Sequence, residues 1–213
     1  MNSKELPQNK CTRFYVVLIV VLIGFTGIIH GISEVFVGNK PTEGFLLKSI
    51  GAFTLIHNYL YTGIAAISVS LILIIWSIGY IHKKNGHLIF LILSILLFLV
   101  GGGVAQIIGF LLTWSVATNI NSTLEWWKKH LAKKTRRDLA KLWLKILITG
   151  FALLVIGILI WLFLVPPGAL YKSPTIEHIC WTFLVAGLGF QIMTIISGFA
   201  RDLELQERKI IKR

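Results

Sequence analysis

Apolar residues come in long runs along this chain, and polar residues sit in short segments between them. A helix rises ~1.5 Å per residue, so crossing a ~30 Å hydrocarbon layer takes roughly 20 apolar residues. Residues 14–32 form one such run, 142–165 a second and 178–200 a third. The second run stops at Pro166-Pro167-Gly168, a strong helix terminator, and the third stops before Arg201-Asp202. Run 14–32 follows a segment, 1–13, that carries Lys4, Lys10 and Arg13, and no small-x-small cleavage site closes it. It reads as a retained first span and not as a signal peptide.

The middle of the chain has to be divided. Residues 45–81 as one straight helix would measure ~55 Å, too long for a bilayer. His57-Asn58 interrupts the run, and Asn caps helices well. This gives a span at 59–81 and a short helix at 45–56, lying on or dipping into the outer surface. Residues 87–120 would measure ~50 Å, and Gly101-Gly102-Gly103 falls near their midpoint. Three glycines offer the permissive backbone of a tight turn. The run therefore splits into 87–100 and 104–120, as two thin spans or as a re-entrant hairpin.

Composition narrows the class. Of 213 residues, 55% are hydrophobic and only 14% charged, which excludes disorder and leaves too much apolar surface for a soluble domain. Two cysteines are too few for a disulfide-stapled secreted fold, and no Cys-x-x-Cys occurs. On the topology below, Cys11 and Cys180 face opposite sides of the bilayer and should not pair. The expectation is a single all-α domain, a polytopic membrane helix bundle of about six transmembrane helices. Two of these are short and joined by the Gly-Gly-Gly turn.

Charge sets the orientation. Lys and Arg number 21 against 9 Asp and Glu, a formal charge of +12. With six spans and a cytoplasmic N-terminus, 18 of the 21 basic residues fall inside, leaving only Lys40, Lys48 and Lys172 outside. Five spans would put the lysine-dense 121–141 segment outside, against the positive-inside bias. Both termini, 1–13 and 201–213, are expected in the cytoplasm, with the bacterial plasma membrane as location. This pattern accounts for the charge without a nucleic-acid partner.

Segment 121–141 reads as a basic amphipathic helix in the headgroup plane. Ser122 and Glu125 have capping-box spacing, and Leu124, Trp127, Leu131, Thr135, Leu139 and Leu142 form a stripe. Trp126, Trp127, Lys128, Lys129, Lys133, Lys134, Arg136 and Arg137 are its expected contacts with anionic lipid head groups.

Ionisable groups in or beside a span mark candidate sites. His30 and Glu34 are four residues apart on the first span, His57 and Asn58 head the second, and Glu177 and His178 open the last. All six belong to the outer half on this topology. Imidazole and carboxylate at i and i+4 can point at one ion, so His30, Glu34 and His57 are metal-ligand candidates. Gln106 and Gln191 are deeper polar groups that read first as interhelical glue. Gly24, Gly27, Gly150, Gly157, Gly187, Gly189 and Gly198 are candidate points of close helix approach. No catalytic serine elbow, phosphate loop, membrane aspartate pair or haem-binding histidine pair is present, and no cofactor is expected.

His30-Gly31-Ile32-Ser33-Glu34 with Gly38-Asn39-Lys40-Pro41, the triple glycine, and Glu125-Trp126-Trp127 resemble stretches of small prokaryotic multi-pass membrane proteins of uncharacterised function. That resemblance implies membrane insertion and carries no activity or site residue. The leading functional expectation is a non-enzymatic accessory or envelope protein acting with lipid, a membrane partner or further copies of itself. A small transporter or channel for an ion or small solute is the alternative, and a membrane enzyme or metal-binding protein using the outer His/Glu residues is a third.

Overall fold

The computed structural model describes residues 8–47, 51–104, 106–164 and 173–211. Lys4, Lys48, Lys172 and the expected stop at Pro166-Pro167-Gly168 lie outside the described residues. The elements run α1 (Lys10–Val37), β1 (Leu46–Leu47), β2 (Ala52–Thr54), α2 (Tyr59–Tyr80), α3 (Gly86–Leu99), β3 (Val100–Gly103), α4 (Gln106–Ala117), α5 (Glu125–His130), α6 (Lys133–Leu164) and α7 (Pro174–Ile211). The chain is mostly helical, and α1, α2, α6 and α7 are long and apolar enough to cross a membrane. The apolar α3 and α4 are shorter. Large side chains such as Ile75, Ile108 and Phe163 point outward, as lipid-facing helices allow. Two compact units can be described, Val16–Asn121 and Met1–Tyr15 with Ser122–Arg213.

In the Val16–Asn121 unit, α1 and α2 approach through small residues. A Cβ on Gly31 would lie 2.7 Å from the Gly63 carbonyl oxygen, and one on Gly63 would lie 2.5 Å from that of Gly31. Neither position tolerates a side chain, so the two backbones touch directly. Asn58 caps α2, its side chain accepting from the amides of Leu60 and Tyr61. Helix α3 runs back along α2: Trp76 Nε1 donates to the Gly86 carbonyl at one end, and Thr62 Oγ1 donates to the Val100 carbonyl at the other. Helix α4 then returns, and Asn121 Nδ2 donates to the His82 carbonyl just beyond α2. The chain does reverse at the glycines.

The reversal is not the expected tight turn. Val100–Gly103 is an extended strand, and only Gly101 of the three glycines has positive φ, +112°. β3 pairs antiparallel with β2, and β2 with β1, in the order β1-β2-β3. The short helix expected at 45–56 is likewise corrected, because its described residues supply β1 and β2. Its amides bond across the fold instead: Leu55 donates to the Leu99 carbonyl, and Thr54 to that of Phe45. Gly51, at φ +71°, turns β1 into β2, and Phe53 stacks on Phe98 at 4.9 Å. Leu47, Ala52 and Tyr59 are buried together with Val37 packed against them.

The second unit is built on α6 and α7. Arg136, Ala140, Trp143, Leu147, Gly150, Leu154 and Gly157 are buried at three- and four-residue steps along α6. Gly150 faces Phe190 and Gln191, Gly157 faces Leu184, and Gly187 of α7 faces Leu154. Gly189, read from sequence with these, has open space beside it. Segment 121–141 is not one helix. α5 ends at His130, Leu131 is extended, and α6 starts at Lys133 and continues through the apolar run. The cap also differs from the expected box: Leu124, not Ser122, is the N-cap of α5, in a left-handed conformation with no side-chain bond, and the Ser122 carbonyl accepts from Asn9 Nδ2.

The tail of α7 meets the start of α1 inside this unit. The Asp202 carboxylate accepts from the amides of Cys11 and Thr12 and from the Thr12 hydroxyl, at 2.7–2.9 Å. Amides at a helix start are unpaired and carry partial positive charge, so a carboxylate satisfies both needs there. Arg136 forks between Glu204 at 3.1 Å and Glu207 at 2.7 Å. Arg201 donates to the Ala140 carbonyl and lies over the Trp143 ring.

Candidate functional site

Four-residue spacing puts Thr26, His30 and Glu34 on one face of α1, about 6 Å apart along the axis. That face meets β3. A Cβ on Gly101 would lie 2.6 and 2.7 Å from the two carboxylate oxygens of Glu34, and one on Gly103 would lie 2.6 Å from His30 Nε2. The acid and the imidazole fill the room that side chains on the strand would take. This is the local reason for glycine at both positions, and at Gly101 the positive φ adds a second.

Glu34 has no solvent exposure, and neither of its carboxylate oxygens has a hydrogen-bond partner. A carboxylate taken out of water without a partner is strongly disfavoured, so such a group is protonated or awaits a cation. Two turns deeper than Glu34, Gln106 of α4 donates from Nε2 to Thr26 Oγ1 at 2.9 Å, leaving its own Oε1 buried and unpaired. The hydroxyls of Ser70 on α2 and Thr113 on α4 are also buried without partners. By contrast Thr54 and Thr62 satisfy one another at 2.6 Å, and Thr62 also reaches the Val100 carbonyl.

The other sequence candidates have different employments. Asn58 caps α2 and donates to Asn39 Oδ1 at 2.7 Å. His57 is exposed, with its ring 5.1 Å from that of Phe45. Glu177 and His178 are exposed in the first turns of α7, within the other unit. Six candidates were thus read as one outer group, and the Val16–Asn121 unit brings His30 and Glu34 to one strand, with Gln106 beside them. Among the described residues no three His, Cys, Asp or Glu side chains are placed to hold a metal ion.

Of the expected lipid contacts, Lys128, Lys129, Lys133, Lys134 and Arg137 are exposed, as is Trp126, which stacks on His130. Trp127 packs on Phe199. Arg136 is corrected: it points inward to two glutamates and is not available to a headgroup. Sequence reasoning passed over Thr26, although its four-residue step from His30 was visible. It also had no means of finding the strand glycines as the opposite wall, because that pairing joins residues far apart in the chain. No protein-family model, curated protein or solved structure matches the chain.

Proposed function

We propose that this is a multi-pass plasma-membrane protein of the transport class, whose Val16–Asn121 unit takes up a small cation at Glu34. The observation that carries the reading is Glu34 itself, fully buried with both oxygens unpartnered beside a strand of glycines. Ionisable groups kept inside a membrane are expensive and are retained for function. Interrupted helices next to such a group are a feature of transport sites, and β3 is such an interruption between α3 and α4. The topology that goes with this reading has six membrane segments and both termini in the cytoplasm of a bacterium. α3 and α4 are its two thin spans, and the β1-β2-β3 end faces outward.

In proteoliposomes the purified protein should pass a small cation, and Glu34→Gln should remove that flux. An unchanged flux in the variant defeats the proposal. The accessory-protein reading makes the opposite forecast: no flux, and a fixed partner that co-purifies. The metal-enzyme reading has less behind it, since His57 is exposed with its ring beside Phe45 and the His30–Glu34 pair lacks a third ligand of its kind among the described residues. The exposed lysines around α5 and the start of α6 would hold the cytoplasmic face against anionic lipid, and that face needs no cofactor.

A further inference from the structure

We infer that the cation is the proton, moving along a track formed by Thr26, His30 and Glu34 with Gln106 at its inner end; this rests on the transport reading above. Hydroxyl, imidazole and carboxyl are the side-chain groups that accept and release protons, and here they follow one another along a single helix face. Steps of about 6 Å along the axis are of a length that one bridging water could close. The opposite wall is strand backbone without side chains, so the Glu34 carboxyl and the His30 ring lie directly against Gly101 and Gly103. Buried polar atoms without protein partners ordinarily hold ordered water, and Gln106 Oε1 is such an atom at the end of the track.

The chemistry of the donors selects among cations. A divalent ion needs six or more oxygens, several of them charged, and this face carries one carboxylate. A single carboxylate balances a single charge. An alkali ion is held by a ring of oxygens, whereas the nearest ionisable neighbour of Glu34 on its own helix is an imidazole, a proton-carrying group. The elements packed around Glu34 add no competing charge. β1, β2, β3 and α4 carry no ionisable side chain, α2 carries only Tyr59, Tyr61 and Tyr80, and α3 only His87 in the first turn of that helix. Lys40, Glu43 and His57 in the connecting segments are exposed. Inward of Thr26, the next four-residue steps on α1 are Leu22 and Leu18, so the proton leaves this helix there. The unpartnered hydroxyl of Ser70 on α2, which faces Gly27 of α1, is the receiving group.

The test uses the full chain in proteoliposomes with a pH-sensitive dye inside, driven by a potassium diffusion potential. Wild type should admit protons, and Glu34→Gln and His30→Phe should each slow entry at least ten-fold, while Glu34→Asp keeps part of it. A Glu34-dependent flux of sodium or potassium without proton flux would overturn the proton inference and leave the transport reading standing. No Glu34-dependent flux of any cation overturns both. A second measurement is independent of variant folding: a hydrophobic carbodiimide, which reacts with protonated carboxyls, should label Glu34 in the wild-type protein. Mass spectrometry that finds Glu34 unlabelled across the acidic range counts against the track.

Discussion

Both units bury charge, and they treat it in opposite ways. In the unit containing α6 and α7, Asp202 accepts three hydrogen bonds and Arg136 reaches two glutamates. In the Val16–Asn121 unit, Glu34 is buried as completely and has no partner. A buried charge that is fully paired holds elements in place, and removing one side of the pairing strands the other. A buried charge without a partner weakens the fold, and it persists only where something else requires it. Position in the chain does not distinguish Glu34 from Asp202; their partners do.

The largest effects should come from the paired side. Asp202→Ala removes the acceptor from two amides and a hydroxyl at the start of α1. The loss should be about 2–4 kcal/mol, the sum of a helix cap and a charge-assisted bond left unmade. Thermal unfolding in a fixed detergent measures it, and a change below half a kcal/mol would erase the contrast between the units. Arg136→Met should follow at ~2 kcal/mol. Its cost is moderated because Glu204 and Glu207, at 19% and 32% side-chain exposure, can recover water once the guanidinium is gone.

Next comes the strand that walls the site. Gly101→Ala should destabilise by about 1–3 kcal/mol, since the backbone is at φ +112° and the new methyl meets the Glu34 carboxylate. Combining it with Glu34→Ala separates the two causes. The methyl clash disappears in the double variant and the backbone strain stays, so the combined effect should fall short of the sum. Strict additivity would mean that the carboxylate and Gly101 do not touch.

How much of this was readable from the chain follows from how local each signal is. The long helices and the Asn58 cap depend on neighbours within a few residues, and the sequence contains them. The reversal at Gly101–Gly103 was visible as a length problem and a charge bias, but its form was not. A strand there depends on hydrogen bonds from β2, some 50 residues earlier in sequence. The same applies to the partners of Asp202 and Arg136, which lie 190 and about 70 residues away. Their place beside a span and their four-residue spacing put His30 and Glu34 among the candidates, while only the fold shows the glycine strand that faces them.

The smallest expected effect has the opposite sign. Glu34→Gln leaves the shape of the side chain intact and removes a group whose charged form has nothing to bond to in this unit. An amide costs less to bury than an unpaired acid, so the variant should be neutral or more stable by up to ~1 kcal/mol. The same substitution chemistry at Asp202, Asp202→Asn, should destabilise, because there the negative charge is what the helix start attracts. Measured side by side in one detergent, the two isosteric changes carry the comparison with steric differences removed. If Glu34→Gln also destabilised by more than 1 kcal/mol, the acid would have a structural partner after all. Its place as the unsatisfied member of the molecule, and the reason to look for a proton there, would then be lost.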